Sequence, residues 1–142
     1  SRSSAASDVY KRQPFELPED QLEKTENELG AKLPTAYRSA MLKSNGGYAY
    51  VGEDSWDFYP IKDTSDRKRI SRTCNHILSE TESCREFGYF PEGAIAIAGN
   101  GCGDQLIFLR EADRILDKVS VWLHEDGSVS EVAPDFGAIE KQ

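Results

Sequence analysis

The sequence predicts an α+β domain, with N-terminal helices packed on a mostly antiparallel sheet and a short helix at the C-terminus. Three observations carry that expectation. Between Leu17 and Asn45 lie two amphipathic segments, one stopped by glycine and the other by Asn-Gly. Short apolar or alternating runs then recur (YAYV, WDFYPI, AIAIAG, QLIFLR, VSVWL), separated by turn residues. Finally, HEDGSV holds Asp126-Gly127, a turn of the kind that joins antiparallel strands. At 142 residues, 38% hydrophobic and 30% charged, the chain has the size and composition of one globular domain with one core.

The first helix is expected from about Pro18. Proline is tolerated in a first turn, and Glu19 and Asp20 suit the positive end of the helix dipole. Leu22 and Leu29 share a face, and Gly30 supplies the left-handed stop. Leu33-Pro34 starts a second helix whose buried stripe is Tyr37, Ala40 and Met41, and Asn45-Gly46 closes it by the same glycine mechanism. Strands follow at 47–51 and at 56–61, the second ended by Pro60. The polar stretch after it is the least periodic part of the chain. Its second half, residues 72–87, reads as a helix carrying Ile77, Leu78, Cys84 and Phe87 and ending at Gly88. AIAIAG at 94–99, apolar nearly throughout, is placed centrally in the sheet and forms a hairpin with QLIFLR. VSVWLHEDGSVSEV gives the clearest hairpin, and PDFGAIEKQ starts a final helix that the end of the chain cuts short.

Residues 1–13 show no hydrophobic periodicity. From Ser3 to Gln13, SSAASDVYKRQ is similar to the translation of a transposase-type sequencing adapter at every position, so 1–13 is read as non-native and 14–142 as the single domain. Without the three bases and one acid of that segment, the net charge of −8 becomes −10.

Bulk properties narrow the function. An acidic chain repels phosphate backbones, so direct nucleic-acid binding is not expected, whereas a basic protein is the natural complement. No apolar run approaches the roughly 20 residues of a membrane helix, so no membrane role is expected. Three irregularly spaced cysteines argue against a disulfide framework and for a reducing, cytoplasmic setting.

Candidate chemistry is sparse. GNGCGD, Gly99 to Asp104, could cradle phosphate, yet it lacks the P-loop lysine and precedes a strand, so a tight turn explains it better. Cys102 as nucleophile would need His124 as base and Asp104 or Asp126 as orienter, and nothing else marks that trio. Cys74, His76 and Cys84 do not have the spacing of a zinc site, and no cofactor or metal is expected. Arg67, Lys68, Arg69 and Arg72 form a short basic run diluted by Asp63, Asp66, Glu80 and Glu82, read as a solvated loop. The aromatics Tyr48, Tyr50, Trp56, Phe58 and Tyr59 mostly fill a core, and those facing outward beside acids are interface anchors.

ELGAKLPTAYRSAMLKSNGG, then WDFYPI, AIAIAGNGCGDQLIFL and VSVWLHEDG, together resemble the SUKH superfamily of fungal cell-wall assembly regulators and bacterial immunity proteins. Leu29, Gly30, Leu33, Pro34, Tyr37, Asn45, Gly46, Gly47, Gly103 and Asp104 stand at matching positions, and the likeness runs from about Leu17 to Ile139. The resemblance implies an α+β fold and a non-enzymatic role. For bacterial members that role is neutralising a cognate protein toxin, often a nuclease; for fungal ones it is scaffolding signalling or cell-wall synthesis proteins. The expected partner face takes the outward acids and aromatics: Tyr48, Tyr50, Glu53, Asp54, Trp56, Asp57 and Asp104. Oligomeric state has no signature in the chain.

Overall fold

The computed structural model describes residues 16–51, 54–86, 88–139 and 141. The adapter-like segment, Glu53 and Phe87 lie outside the described residues. The described residues form four α-helices and six strands: α1 (Glu19–Leu29), α2 (Thr35–Lys43), β1 (Tyr48–Val51), β2 (Asp54–Phe58), α3 (Arg67–Arg72), α4 (Ile77–Arg85), β3 (Ile95–Gly99), β4 (Gln105–Glu111), β5 (Arg114–Trp122) and β6 (Val129–Ala133). The strands make one antiparallel sheet in chain order, β1 to β6, with both helices of the crossover from β2 to β3 inserted midway.

Helix α1 begins after Pro18, carries Glu19 and Asp20 in its first turn, and stops at Gly30 with φ 73°. Leu22 is fully buried, but Gln21, Thr25 and Glu26 are buried beside it, so much of its inward face is polar. Each polar group that turns inward needs a partner. The Glu26 carboxylate accepts the Leu33 N–H at 2.7 Å and Arg38 Nε–H at 3.0 Å, tying α1 to the turn and to α2. The Gln21 side-chain oxygen accepts the Thr64 N–H at 3.0 Å, and Arg110 of β4 donates to the Leu29 carbonyl at 2.6 Å, covering the C-terminal end of α1.

Helix α2 buries Tyr37 and Met41, and its ending differs from the expected glycine stop. Ser44 is already extended (φ −157°), and the positive φ values belong to Gly46 and Gly47 at 123° and 96°. Asn45 acts through its side chain instead. Its amide donates to the Ile61 carbonyl at 2.8 Å and accepts the Ile61 N–H at 2.7 Å, reproducing with a side chain the reciprocal pair of an antiparallel ladder. Lys141 caps the end of α2 by donating to the Ala40 carbonyl at 3.1 Å and to the Ser44 carbonyl, and burial lowers its pKa to about 8.

The inner face of the sheet packs on α1 and α2. Ala49, Trp56, Phe58, Ile95, Ile97, Leu106, Phe108 and Val119 meet Leu22, Tyr37 and Met41 there. Tyr37 sits edge-on to both Phe108 and Phe136, with ring centroids 5.1 Å apart in each pair. On the outer face, Ala96, Ile107 and Trp122 are covered by Cys84 of α4 and by Phe90. The Thr81 hydroxyl of α4 accepts the Ala96 N–H at 2.9 Å, beside the bulge that interrupts the β3–β4 register.

Several expectations are corrected. The second strand is Asp54–Phe58, displaced toward the N-terminus, because Tyr59 and Pro60 leave the ladder after the Tyr59 N–H bonds the Ile97 carbonyl at 2.9 Å. The helix expected at 72–87 is α4 alone, preceded by a separate α3 in the basic run, where Asp66 accepts the Arg69 N–H at 2.8 Å. The final helix is only a 3-10 turn, Phe136–Ala138, in which Phe136 is pulled into the core. A hairpin with no glycine joins β4 to β5 through Ala112-Asp113, with Ala112 held at φ 54°.

Two outcomes follow for stability. Left-handed backbone costs a non-glycine residue about 1–2 kcal/mol, offset in part by glycine's greater freedom when unfolded. Ala112→Gly should therefore stabilise the chain by about 0.5–1 kcal/mol, read as a higher urea midpoint with an unchanged slope. Asn45→Ala leaves both main-chain groups of buried Ile61 without partners and should cost about 2–4 kcal/mol in the same measurement. Asn45→Asp, which cannot donate, should fail to restore the loss.

Candidate protein-binding face

One cross-sheet row runs through all six strands: Tyr48, Asp57, Gly99, Gln105, Trp122 and Val129, each directly paired with the next. Directly paired residues project to the same side, so the row lies on the outer face. Phe90 packs edge-on against Trp122 at 5.1 Å, and the Trp122 indole donates to the Tyr89 carbonyl at 3.2 Å, so Trp122 is covered while Val129 beyond it is exposed. At the other end, Tyr48 and Tyr50 are 43% and 68% exposed and stand edge to face, 6.0 Å apart.

Between these ends lies Tyr59. Its hydroxyl donates to the Gln105 side chain at 2.7 Å and passes directly over Gly99, where a Cβ would stand 2.4 Å from the hydroxyl oxygen. A side chain at this position would displace the Tyr59 hydroxyl from its place beside Gln105. Burial raises the Tyr59 pKa to about 12, opposed by the bond to Gln105 and assisted by nearby Glu80 and Asp57 carboxylates. Two acids from different elements thus bear on Tyr59, Asp57 from β2 and Glu80 from α4. Among the described residues, arginine pairs with Glu19, Glu26, Asp63 and Asp66, and no ion pair engages Asp57 or Glu80. By contrast, a cleft of about 480 Å³ between the end of α1 and α4 mixes Glu28 and Glu82 with Lys62, Arg85 and Arg110.

Of the residues singled out in the sequence, Tyr48, Tyr50 and Asp57 come together on this face. Trp56 does not: it is 2% exposed, pointing with Ala49 into the core, so its assignment to a partner face is corrected. Asp54 is exposed but shares the inward side of β2 with Trp56, two residues away, and so stands on the opposite face from Asp57. Tyr59 is among the candidate aromatics of the sequence but not in the expected partner face, and Glu80 and Gln105 carry no such assignment there. The alternation of WDFYP puts Tyr59 on the side of Asp57, a signal that was available, whereas nothing local to Glu80 announces which strand α4 will cover.

Asp104 closes a loop. Its Oδ1 accepts from His124 Nδ1 at 2.8 Å and from the His124 N–H at 3.2 Å, while Asn100 donates to Oδ2 at 3.3 Å. Partial burial opposes ionisation, but these bonds prevail and hold the carboxyl below the usual aspartate range. An ionised carboxylate only accepts, so His124 carries its proton on Nδ1. Gly103, at φ 102°, lies under that ring, where a Cβ would approach Nδ1 to 2.9 Å. The trio weighed and set aside around Cys102 therefore contains a real Asp–His pair, and that pair fastens the β3–β4 loop to the end of β5. Cys102 is exposed, and its N–H is held by the Asn100 side chain at 2.9 Å.

The cysteine–histidine set is dispersed. His76 caps α4 by accepting the Ser79 N–H at 3.3 Å, Cys74 is exposed, and burial, with Glu80 nearby, raises the Cys84 thiol pKa to about 11. Among the described residues no group of three or more histidine, cysteine or acidic side chains is arranged to hold a metal ion. No described helix is long and apolar enough to cross a membrane.

The sequence model of the SMI1 / KNR4 family (SUKH-1) fits residues 16–141. No curated protein matches the chain significantly.

The Asp104 latch has a pH signature. Its folded-state pKa is lowered, so its stabilisation is complete above the unfolded aspartate value near 4 and fades as pH falls through the folded value. Asp104→Asn should lower the urea midpoint at neutral pH, and the gap to the parent should narrow below about pH 4.

Proposed function

The chain belongs to the SMI1 / KNR4 family (SUKH-1), and from that membership we propose that it is an immunity protein that binds and neutralises a basic protein toxin. The family is one of protein-binding modules, consistent with an immunity or a regulatory role. One observation carries the choice of surface: Asp57, directly paired with the exposed Tyr48 and next to Tyr50, shares the outer face with Glu80, both acids bear on Tyr59, and among the described residues neither is in an ion pair.

The physical argument is complementarity. A protein that handles nucleic acid presents a basic channel, and an acidic cover blocks it while steering association. Aromatic residues supply rigid contact area at little entropic cost, and tyrosine is enriched at interface hot spots. Unpaired carboxylates beside such rings accept arginine and lysine without first breaking internal ion pairs.

The test is protection. The open reading frame adjoining this gene in its source DNA is expressed with and without the chain, and growth is followed. Rescue of growth together with a direct complex is the expected result. A harmless neighbour that forms no complex removes the toxin and leaves the scaffold role. Reversing both Asp57 and Glu80 to lysine should weaken the complex at least about tenfold, or 1.4 kcal/mol, with an unchanged circular dichroism spectrum. Unchanged affinity in that folded variant removes the electrostatic part.

A further inference from the structure

The two edges of the sheet are built differently. At β6 the edge is guarded: the register shifts opposite Val119 and Ser120, leaving Val132 as the extra residue, Glu131 is exposed, and Pro134 follows at once. Bulges, charges and proline are the devices by which proteins keep strand edges from pairing with other chains. β1 has none of them. Its four residues, YAYV, contain no charge and no proline, and its register with β2 is unbroken.

The phase of that register sets what β1 offers. The Phe58 N–H bonds the Gly47 carbonyl at 2.8 Å, so Gly47, Ala49 and Val51 turn their main-chain groups toward β2. The N–H and C=O groups of Tyr48 and Tyr50 consequently point to the open edge. The same two residues carry the exposed rings, and Asp57 is directly paired with Tyr48. Among the described residues no strand lies beyond β1.

We propose that the open edge of β1 receives an extended, arginine- or lysine-bearing strand of the partner protein, which adds to the sheet as a seventh strand. This rests on the reading that the chain binds a basic protein, and it specifies how. Main-chain bonds to Tyr48 and Tyr50 set the register of the incoming strand. Its alternate side chains fall beside the two rings, where a guanidinium stacks on tyrosine and reaches Asp57. A basic strand is favoured over a second copy of this chain because like copies, each at net charge −8, would bring the same acids together.

The experiment uses the full ¹⁵N-labelled chain and a short, capped peptide alternating arginine with threonine and valine, with its glutamate counterpart as control. Amide shifts centred on Tyr48, Tyr50 and Asp57, with the acidic peptide silent, are expected. Tyr50→Pro removes an N–H that β2 does not use, so it should leave the fold intact and weaken the basic peptide at least about tenfold. A peptide N-methylated on one edge should lose binding to the parent chain to a similar degree, which covers the case of a proline variant that does not fold. Full binding by the folded proline variant, or by the N-methylated peptide, overturns strand addition and leaves toxin protection standing as a separate result. Shifts centred on β6, or no binding of the basic peptide at millimolar concentration, overturn it equally. So does a dimer of the parent chain that Tyr50→Pro converts to monomer, because the edge then belongs to a second copy.

Discussion

The arrangement of the sheet depends on one side chain standing in for main chain. Asn45 exchanges two hydrogen bonds with Ile61, both residues buried, and so joins the end of α2 to the segment leaving β2. Gly46 and Gly47, both at positive φ, make the sharp entry into β1 possible from that anchored point. A strand displaced by one residue turns every side chain to the other face. With Asn45 fixed, Ala49 faces the core and Tyr48 and Tyr50 face away. The chemistry of the outer face is thus decided by a residue that is not on it.

Much of the helical layer was legible because local chemistry and tertiary need agree there. Gly30 stops α1 as a glycine stop should, and Tyr37 and Met41 are buried as their spacing requires. Legibility failed where tertiary contacts decide. Helix α3 buries none of its residues and owes its start to the Asp66 cap, so hydrophobic periodicity had nothing to register. The β4–β5 turn carries alanine at positive φ, supported by an Arg110 side-chain bond to the Ala112 carbonyl at 2.9 Å, where a turn rule looks for glycine. The final helix was misread because Phe136, spaced like a helical residue, is instead drawn into the core after a single tight turn.

The outer face was legible in halves. Exposed tyrosines and Asp57 alternate along β1 and β2, so period-two reading reaches them. Trp56 was assigned outward because it stands among acids, although that same alternation sends it inward with Ala49. Glu80 arrives from a helix whose docking on β3 depends on Thr81 meeting the main chain beside a bulge, a contact between residues far apart in sequence. The motif residues, among them Leu33, Pro34 and Gly103, identify the family and build the frame. The surface that meets a partner is written in positions free of that duty.

The crossover between β2 and β3 also sets an order of assembly. Strands β3 to β6 are linked by short turns, and β4 and β5 share six register pairs, whereas only two pairs, Asp57–Gly99 and Phe58–Ala98, join the first hairpin to the rest. Local pairings form quickly, and closing the long segment at 59–94 carries the larger entropic cost. On that reckoning the four-stranded meander is expected to form early, and the β1–β2 hairpin to dock on it late and detach first. A ligand that contacts both that hairpin and Glu80 across the seam binds only the docked form, so its free energy goes directly into closing the weakest seam of the native state.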